Sequence, residues 1–188
     1  MAHIQLNNEL PGIVGLLHYS PETAKPLNEL AEVLLVQENS LTRGEREMIA
    51  SSVSYWNDCH FCHSTHGAAA ANLLHQPASF LTEIKKGFPG TEVSPKMRAL
   101  LNIAHHVQQG GKNVTEEDIR KAKEAGAVDK EIHDTVLIAA AFCMYNRYVD
   151  GLATWAPKED EAFMPMGKML AEQGYRATTP QEVSEVDQ

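Results

Sequence analysis

Apolar residues in this chain recur at steps of three and four between proline and glycine breakers, and no two alternating runs are joined by a hairpin turn. That pattern restricts the fold to helices packed on helices. The spacing of Leu27, Leu30, Val33 and Leu34 predicts a first helix from about Pro26 to Glu38. Thr42 stands three residues before Glu45, a capping-box arrangement that opens a second helix ending near Asn57–Asp58. From Cys59 the chain meets no breaker before Pro77 except Gly67, and Ala68–Ala71 permit a close helix contact. Further helices are expected after Pro77, after Ser94-Pro95 up to Gly110-Gly111, after Thr115 up to Gly126, from Asp129 towards Pro157, and from Glu159 to Gln173. The expectation is therefore one all-α domain over residues 1–188, a length suited to a single core, with seven or eight helices and a central helical hairpin. Residues 1–25, punctuated by Pro11, Gly12 and Pro21, read as an irregular N-terminal segment, and 176–188 read as a polar, flexible tail.

Sixteen Lys and Arg against 25 Asp and Glu leave a formal charge of −9, with no basic cluster, which argues against a nucleic-acid partner. The longest apolar stretches, such as 136–144, fall short of the roughly 20 residues that span a membrane. The start, MAHIQLNNELPG, has neither the basic nor the apolar region of an export signal, so a soluble, cytoplasmic protein is expected. Three cysteines do not make a disulfide framework in that compartment. Two of them share one short motif, which points to metal binding or redox chemistry.

That motif, Cys59-His60-Phe61-Cys62-His63-Ser64-Thr65-His66, carries two thiols and three imidazoles at the start of a predicted helix. Spacings of three and four put Cys59, Cys62 and His66 on one face, and the backward lean of helical side chains brings His66 over Cys62. Both cysteines fall in the first turn, where free N–H groups and the helix dipole favour a thiolate. By position alone Cys59 is the more thiolate-like, being nearer the N-terminus and expected to be more exposed. Glu47 lies roughly 15 Å before the intervening turn and His66 roughly 12 Å after it, so antiparallel neighbours would bring carboxylate and imidazole to similar depth. The pair could then move protons for a thiol nucleophile.

These residues resemble the alkylhydroperoxidase D-like proteins of the carboxymuconolactone decarboxylase superfamily, whose pattern is a glutamate, eleven residues, then C-x-x-C-x-x-x-H. Glu47, Cys59, Cys62 and His66 fit every spacing. The late run Asn146-Arg147-Tyr148-Val149-Asp150-Gly151-Leu152 is similar to the peroxidase-related branch, and the likeness spans most of 26–170. The resemblance implies a thiol-dependent peroxidase without cofactor, assembled as a homo-oligomer (trimer or hexamer), that reduces hydrogen peroxide or organic hydroperoxides. It implies that Cys62 is oxidised, Cys59 resolves, Glu47 and His66 relay protons, and an external dithiol or thioredoxin-like donor restores the thiols. Some members carry a histidine immediately before the second cysteine. This chain has Phe61 there and His60 one place earlier, so a shorter relay is expected.

Other readings stay open. Cys59, Cys62 and His66, with His63 or His60, could ligate zinc in a module without turnover. A lactone decarboxylase of the same superfamily is another possibility, although such members generally lack the cysteine pair. Cys59-x-x-Cys62-His63 also matches the attachment motif of c-type haem, which normally follows export. Elsewhere Cys143 reads as a small buried hydrophobe and Met164, Met166 and Met169 as packing or interface residues. Asn146, Arg147 and Asp150 read as a polar network or as a simple Arg147–Asp150 ion pair.

Overall fold

The computed structural model describes residues 2–88 and 93–180. Among them are nine α-helices and no strand: α1 (Gly12–Tyr19), α2 (Pro21–Leu35), α3 (Arg43–Trp56), α4 (His60–Leu73), α5 (Phe80–Lys85), α6 (Pro95–Gln109), α7 (Glu116–Glu124), α8 (Asp129–Gly151) and α9 (Met164–Gln173). Short 3-10 turns cover Gly111–Asn113, Asp160–Phe163 and Arg176–Thr178.

Local chemistry sets the helix starts. The Thr42 hydroxyl accepts from the Glu45 amide at 3.2 Å while the Glu45 carboxylate accepts from the Thr42 amide at 2.8 Å, closing the expected capping box of α3. Ser94 caps α6 through the Met97 amide, with Pro95 at the first helical position. Thr115 and Asp118 cap α7 in the same reciprocal way.

Helices α3 and α4 form the expected central hairpin and are buried on nearly every side, from Arg46 to Ser54 and from Phe61 to Ala71. Such all-round burial marks core helices rather than amphipathic surface ones. Ile49 and Val53 from α3, Leu100 and Ile103 from α6, and Ile138 and Phe142 from α8 build the surrounding core. Each such side chain contributes about 1.5–3 kcal/mol on burial. The alanine run of α4 lets α9 approach so closely that a Cβ on Gly167 would sit 2.5 Å from the Ala68 carbonyl carbon.

The hairpin turns at Asn57-Asp58-Cys59, where Asp58 takes φ +60°. Asn146 of α8 braces it: its Oδ1 accepts from Asn57 at 2.8 Å and its amide donates to Ser54 at 3.0 Å. Gln108 of α6 donates to Asn57 Oδ1 at 3.0 Å. Three helices thus fix the residue from which the cysteine motif departs.

Several expectations need correction. Residues 1–25 are not irregular throughout, because α1 lies among them and α2 begins at Pro21. Pro11 precedes the first turn of α1 and Pro21 is the first residue of α2, places where a missing N–H costs nothing. Pro26 is carried inside α2, so the prolines punctuate helices rather than prevent them. The polar tail is not loose from its start: Arg176 pairs bidentately with Glu29 at 2.8 Å and Asn28 donates to Thr179 at 2.9 Å. Residues 181–188 of that tail lie outside the described residues. Arg147 makes no ion pair with Asp150; it donates to the Cys143 carbonyl at 2.7 Å.

Candidate active site

Cys62 and His66 of α4 stand on the wall of a cavity of about 410 Å³. Its other walls are Ile13, Val14 and Leu17 of α1, Phe142 and Tyr145 of α8, and Met166 of α9. The lining is mostly apolar, and Met166 and Met169, which pack against the core as expected, also shape this wall.

Below the cavity floor, His66 Nδ1 lies 2.7 Å from Glu47 Oε2. Glu47 is wholly buried and His66 is 9 % exposed. The helical hairpin thus brings the two to one depth, as their distances from the turn predict. With Nδ1 donating to the carboxylate, the lone pair of Nε2 is left to face a reacting group.

A third group completes the arrangement. The Tyr175 hydroxyl donates to Glu47 Oε1 at 2.6 Å and lies 3.1 Å from His66 Nδ1, while its ring stacks on the imidazole at 5.9 Å with a 15° tilt. Burial, reinforced by the negative charge of Glu47, pushes the phenol well above the usual tyrosine range, so it remains a donor. Sequence reasoning missed Tyr175. The available signal was an aromatic residue directly after Gly174, the glycine that ends the last helix, where a side chain commonly folds back onto the fold.

The two cysteines are not equivalent, and the positional expectation for Cys59 is reversed. Cys59 is the N-cap of α4 rather than a first-turn residue, and it is fully buried, whereas Cys62 reaches the cavity. Cys59 is pushed far above the usual thiol range, chiefly because its S–H donates to the Cys62 sulfur and further because it is buried. The Cys62 amide opposes this but does not overcome it. Cys59 is thus held as a thiol whose hydrogen is directed at the Cys62 sulfur. The Asp150 carboxyl, raised by burial, lies within hydrogen-bonding reach of the same Cys59 sulfur. Both cysteines are free thiols.

The remaining histidines of the motif face away from this pair. His63 Nδ1 contacts Ser51 Oγ at 3.0 Å and the Ser51 carbonyl at 3.1 Å, and burial pushes the ring down to about 4. His60 Nε2 meets the Pro157 carbonyl at 2.9 Å. Phe61 packs its ring against Phe163 and against Gly12 of α1, so the position before Cys62 carries no proton. Among the described residues no group of three or more His, Cys, Asp or Glu side chains is arranged to hold a metal ion. The described side chains therefore do not gather the ligand set that the zinc alternative needs. No described helix is long and apolar enough to cross a membrane.

Comparison with known proteins agrees with this all-α fold. Residues 21–75 match the model of the carboxymuconolactone decarboxylase family. No curated protein matches. Among solved structures the chain is similar to an alkylhydroperoxidase AhpD core, an uncharacterized peroxidase-related protein from Ralstonia eutropha JMP134, with 26% identity over 85% of this chain and 82% of that one and a TM-score of 0.74. It shares its fold with an uncharacterized peroxidase-related protein from Silicibacter sp. TM1040, at 24% identity over 79% of this chain and 77% of that one, TM-score 0.71. It also shares its fold with a protein of unknown function from Agrobacterium tumefaciens, at 19% identity over 79% of this chain and 99% of that one, TM-score 0.66.

Proposed function

We propose that this chain, whose residues 21–75 match the carboxymuconolactone decarboxylase family and whose fold is similar to that of an alkylhydroperoxidase AhpD core, is a thiol-dependent peroxidase. The observation that carries the reading is the asymmetry of the cysteine pair: Cys62 faces an apolar cavity beside the Glu47–His66 dyad, and Cys59 waits behind it as a protonated thiol.

A hydroperoxide enters the cavity and the Cys62 thiolate attacks its terminal oxygen. The O–O bond breaks, Cys62 becomes a sulfenic acid, and the leaving alkoxide takes a proton from His66, whose positive charge Glu47 has supported. Cys59 then attacks the sulfenic sulfur, its proton passes to the departing hydroxide, directly or by way of Asp150, and a Cys59–Cys62 disulfide and water result. A dithiol donor, small or thioredoxin-like, returns two electrons and two protons and is itself oxidised to a disulfide. No step requires a metal or flavin.

A cavity of about 410 Å³ with apolar walls is far larger than hydrogen peroxide needs, which favours a hydroperoxide with an apolar body as substrate. The proposal includes assembly as a trimer or hexamer and action in the cytoplasm. It is tested by dimedone trapping after hydroperoxide addition: Cys59→Ser accumulates a labelled sulfenic acid on Cys62, and Cys62→Ser takes no label. A label on Cys59 in the Cys62→Ser protein would reverse the roles of the two thiols.

A further inference from the structure

Tyr175 arrives at the buried dyad by a route unlike that of the other site residues. Helix α9 ends at Gly174, whose φ of +74° turns the chain inward, and a Cβ there would lie 2.6 Å from Glu32 Oε2. The Tyr175 amide then donates to that same Glu32 oxygen at 2.8 Å. Thr178 Oγ1 donates to the Tyr175 carbonyl at 2.7 Å, and the Arg176–Glu29 and Asn28–Thr179 bonds tie the next turn to α2. The segment therefore holds the phenol from both sides, and its residues Ala177 to Pro180 form part of the cavity wall.

The phenol gives its proton to one oxygen of Glu47 while His66 Nδ1 gives its own to the other. Both donors are needed by a carboxylate that is wholly buried. The other titratable or charged groups facing this cluster are Arg43 and Arg46 of α3, Cys62 of α4, Tyr145 of α8, Glu32 of α2 and His18 of α1 at the cavity wall. None of them supplies a hydrogen bond to Glu47 Oε1 among the described contacts.

We propose that Tyr175 is a positioning residue of the relay: by donating to Glu47 Oε1 it fixes the carboxylate against His66 Nδ1 and sets the pH range over which His66 can take the Cys62 proton. The inference rests on the peroxidase reading of Cys62. Without the hydroxyl, Glu47 directs more of its charge to His66, the imidazole holds its proton more tightly, and less of it is free to act as base near neutrality.

The test follows Cys62 oxidation by cumene hydroperoxide from about pH 5 to about pH 9 in the wild type, Tyr175→Phe and Tyr175→Leu. The Phe variant keeps the ring stack. Its acid limb is expected to move upward by at least about half a pH unit, with roughly a five- to tenfold loss of rate near neutrality. A Phe variant with the wild-type rate and limb overturns the proposal. So does a Phe variant that loses as much as Leu with its limb unmoved, since ring packing alone would then explain Tyr175. If Tyr175→Phe does not fold, ultraviolet titration of the tyrosines in the wild type and Glu47→Gln decides. Loss of the carboxylate charge should lower the pH at which one buried tyrosine ionises, and superimposable titrations overturn the proposal. A wild type whose thiols ignore the hydroperoxide counts against the peroxidase reading itself, and the same titration then still decides whether Tyr175 is coupled to Glu47.

Discussion

His66 Nδ1 lies 2.7 Å from Glu47 Oε2, a contact between residues 19 apart in sequence that face each other across the α3–α4 hairpin. In the proposed mechanism the carboxylate supports positive charge on the imidazole at the moment it holds the Cys62 proton. Glu47→Gln keeps the shape and removes that support. Cys62 oxidation is expected to slow by about 100-fold, at the low end of general acid–base effects. Stopped-flow thiol loss with cumene hydroperoxide measures it, and a Gln variant within twofold of wild type would show the dyad to be structural.

The second buried imidazole, His63, predicts a stability change with pH. Burial holds it at about 4 in the folded chain against 6.5 for an ordinary histidine. Between those values the unfolded chain binds a proton that the folded one refuses, so stability is full above about 6.5 and is lost as pH falls towards 4. The loss reaches on the order of 3 kcal/mol. Urea midpoints measured across that window should fall more steeply for the wild type than for His63→Asn. Parallel curves would contradict the assignment.

The contact of α9 with α4 depends on one missing methyl group. At Gly167 a Cβ would meet both the Ala68 carbonyl carbon and the Ala68 Cβ at 2.5 Å, and backbone cannot move aside as a side chain can. Gly167→Ala gains up to about 1 kcal/mol of helix propensity but forces the helices apart, with a net loss expected at about 1–3 kcal/mol. Because α9 leads directly into Gly174 and Tyr175, the same variant should also lose peroxide reactivity. Denaturant unfolding and thiol kinetics on one preparation check both. A variant as stable and as reactive as wild type would mean the helices tolerate the methyl.

Much of this was legible in the sequence because the signals were local. Thr42 and Glu45 announced the start of α3, Ser94-Pro95 that of α6, and the step from Cys62 to His66 set two side chains on one face. Helical rise alone placed Glu47 level with His66. What escaped depended on contacts distant in sequence. Tyr175 reaches Glu47 across 128 residues, and its one local signal, the glycine before it that ends α9, does not say what the phenol meets. Position overstated the exposure of Cys59, because the helix end that should expose it is covered, leaving it fully buried. Helix α1 and the start of α2 were hidden by Pro11 and Pro21, which sit where helices accept them.

The most direct measurement counts thiols and intact mass on fully reduced protein before and after one equivalent of cumene hydroperoxide. Rapid loss of two thiols and two hydrogens, abolished in Cys62→Ser and arrested at a single oxidised sulfur in Cys59→Ser, is the predicted result. Thiols that survive the hydroperoxide unchanged, with the pair fully reduced and accessible to alkylation after unfolding, would contradict the peroxidase account.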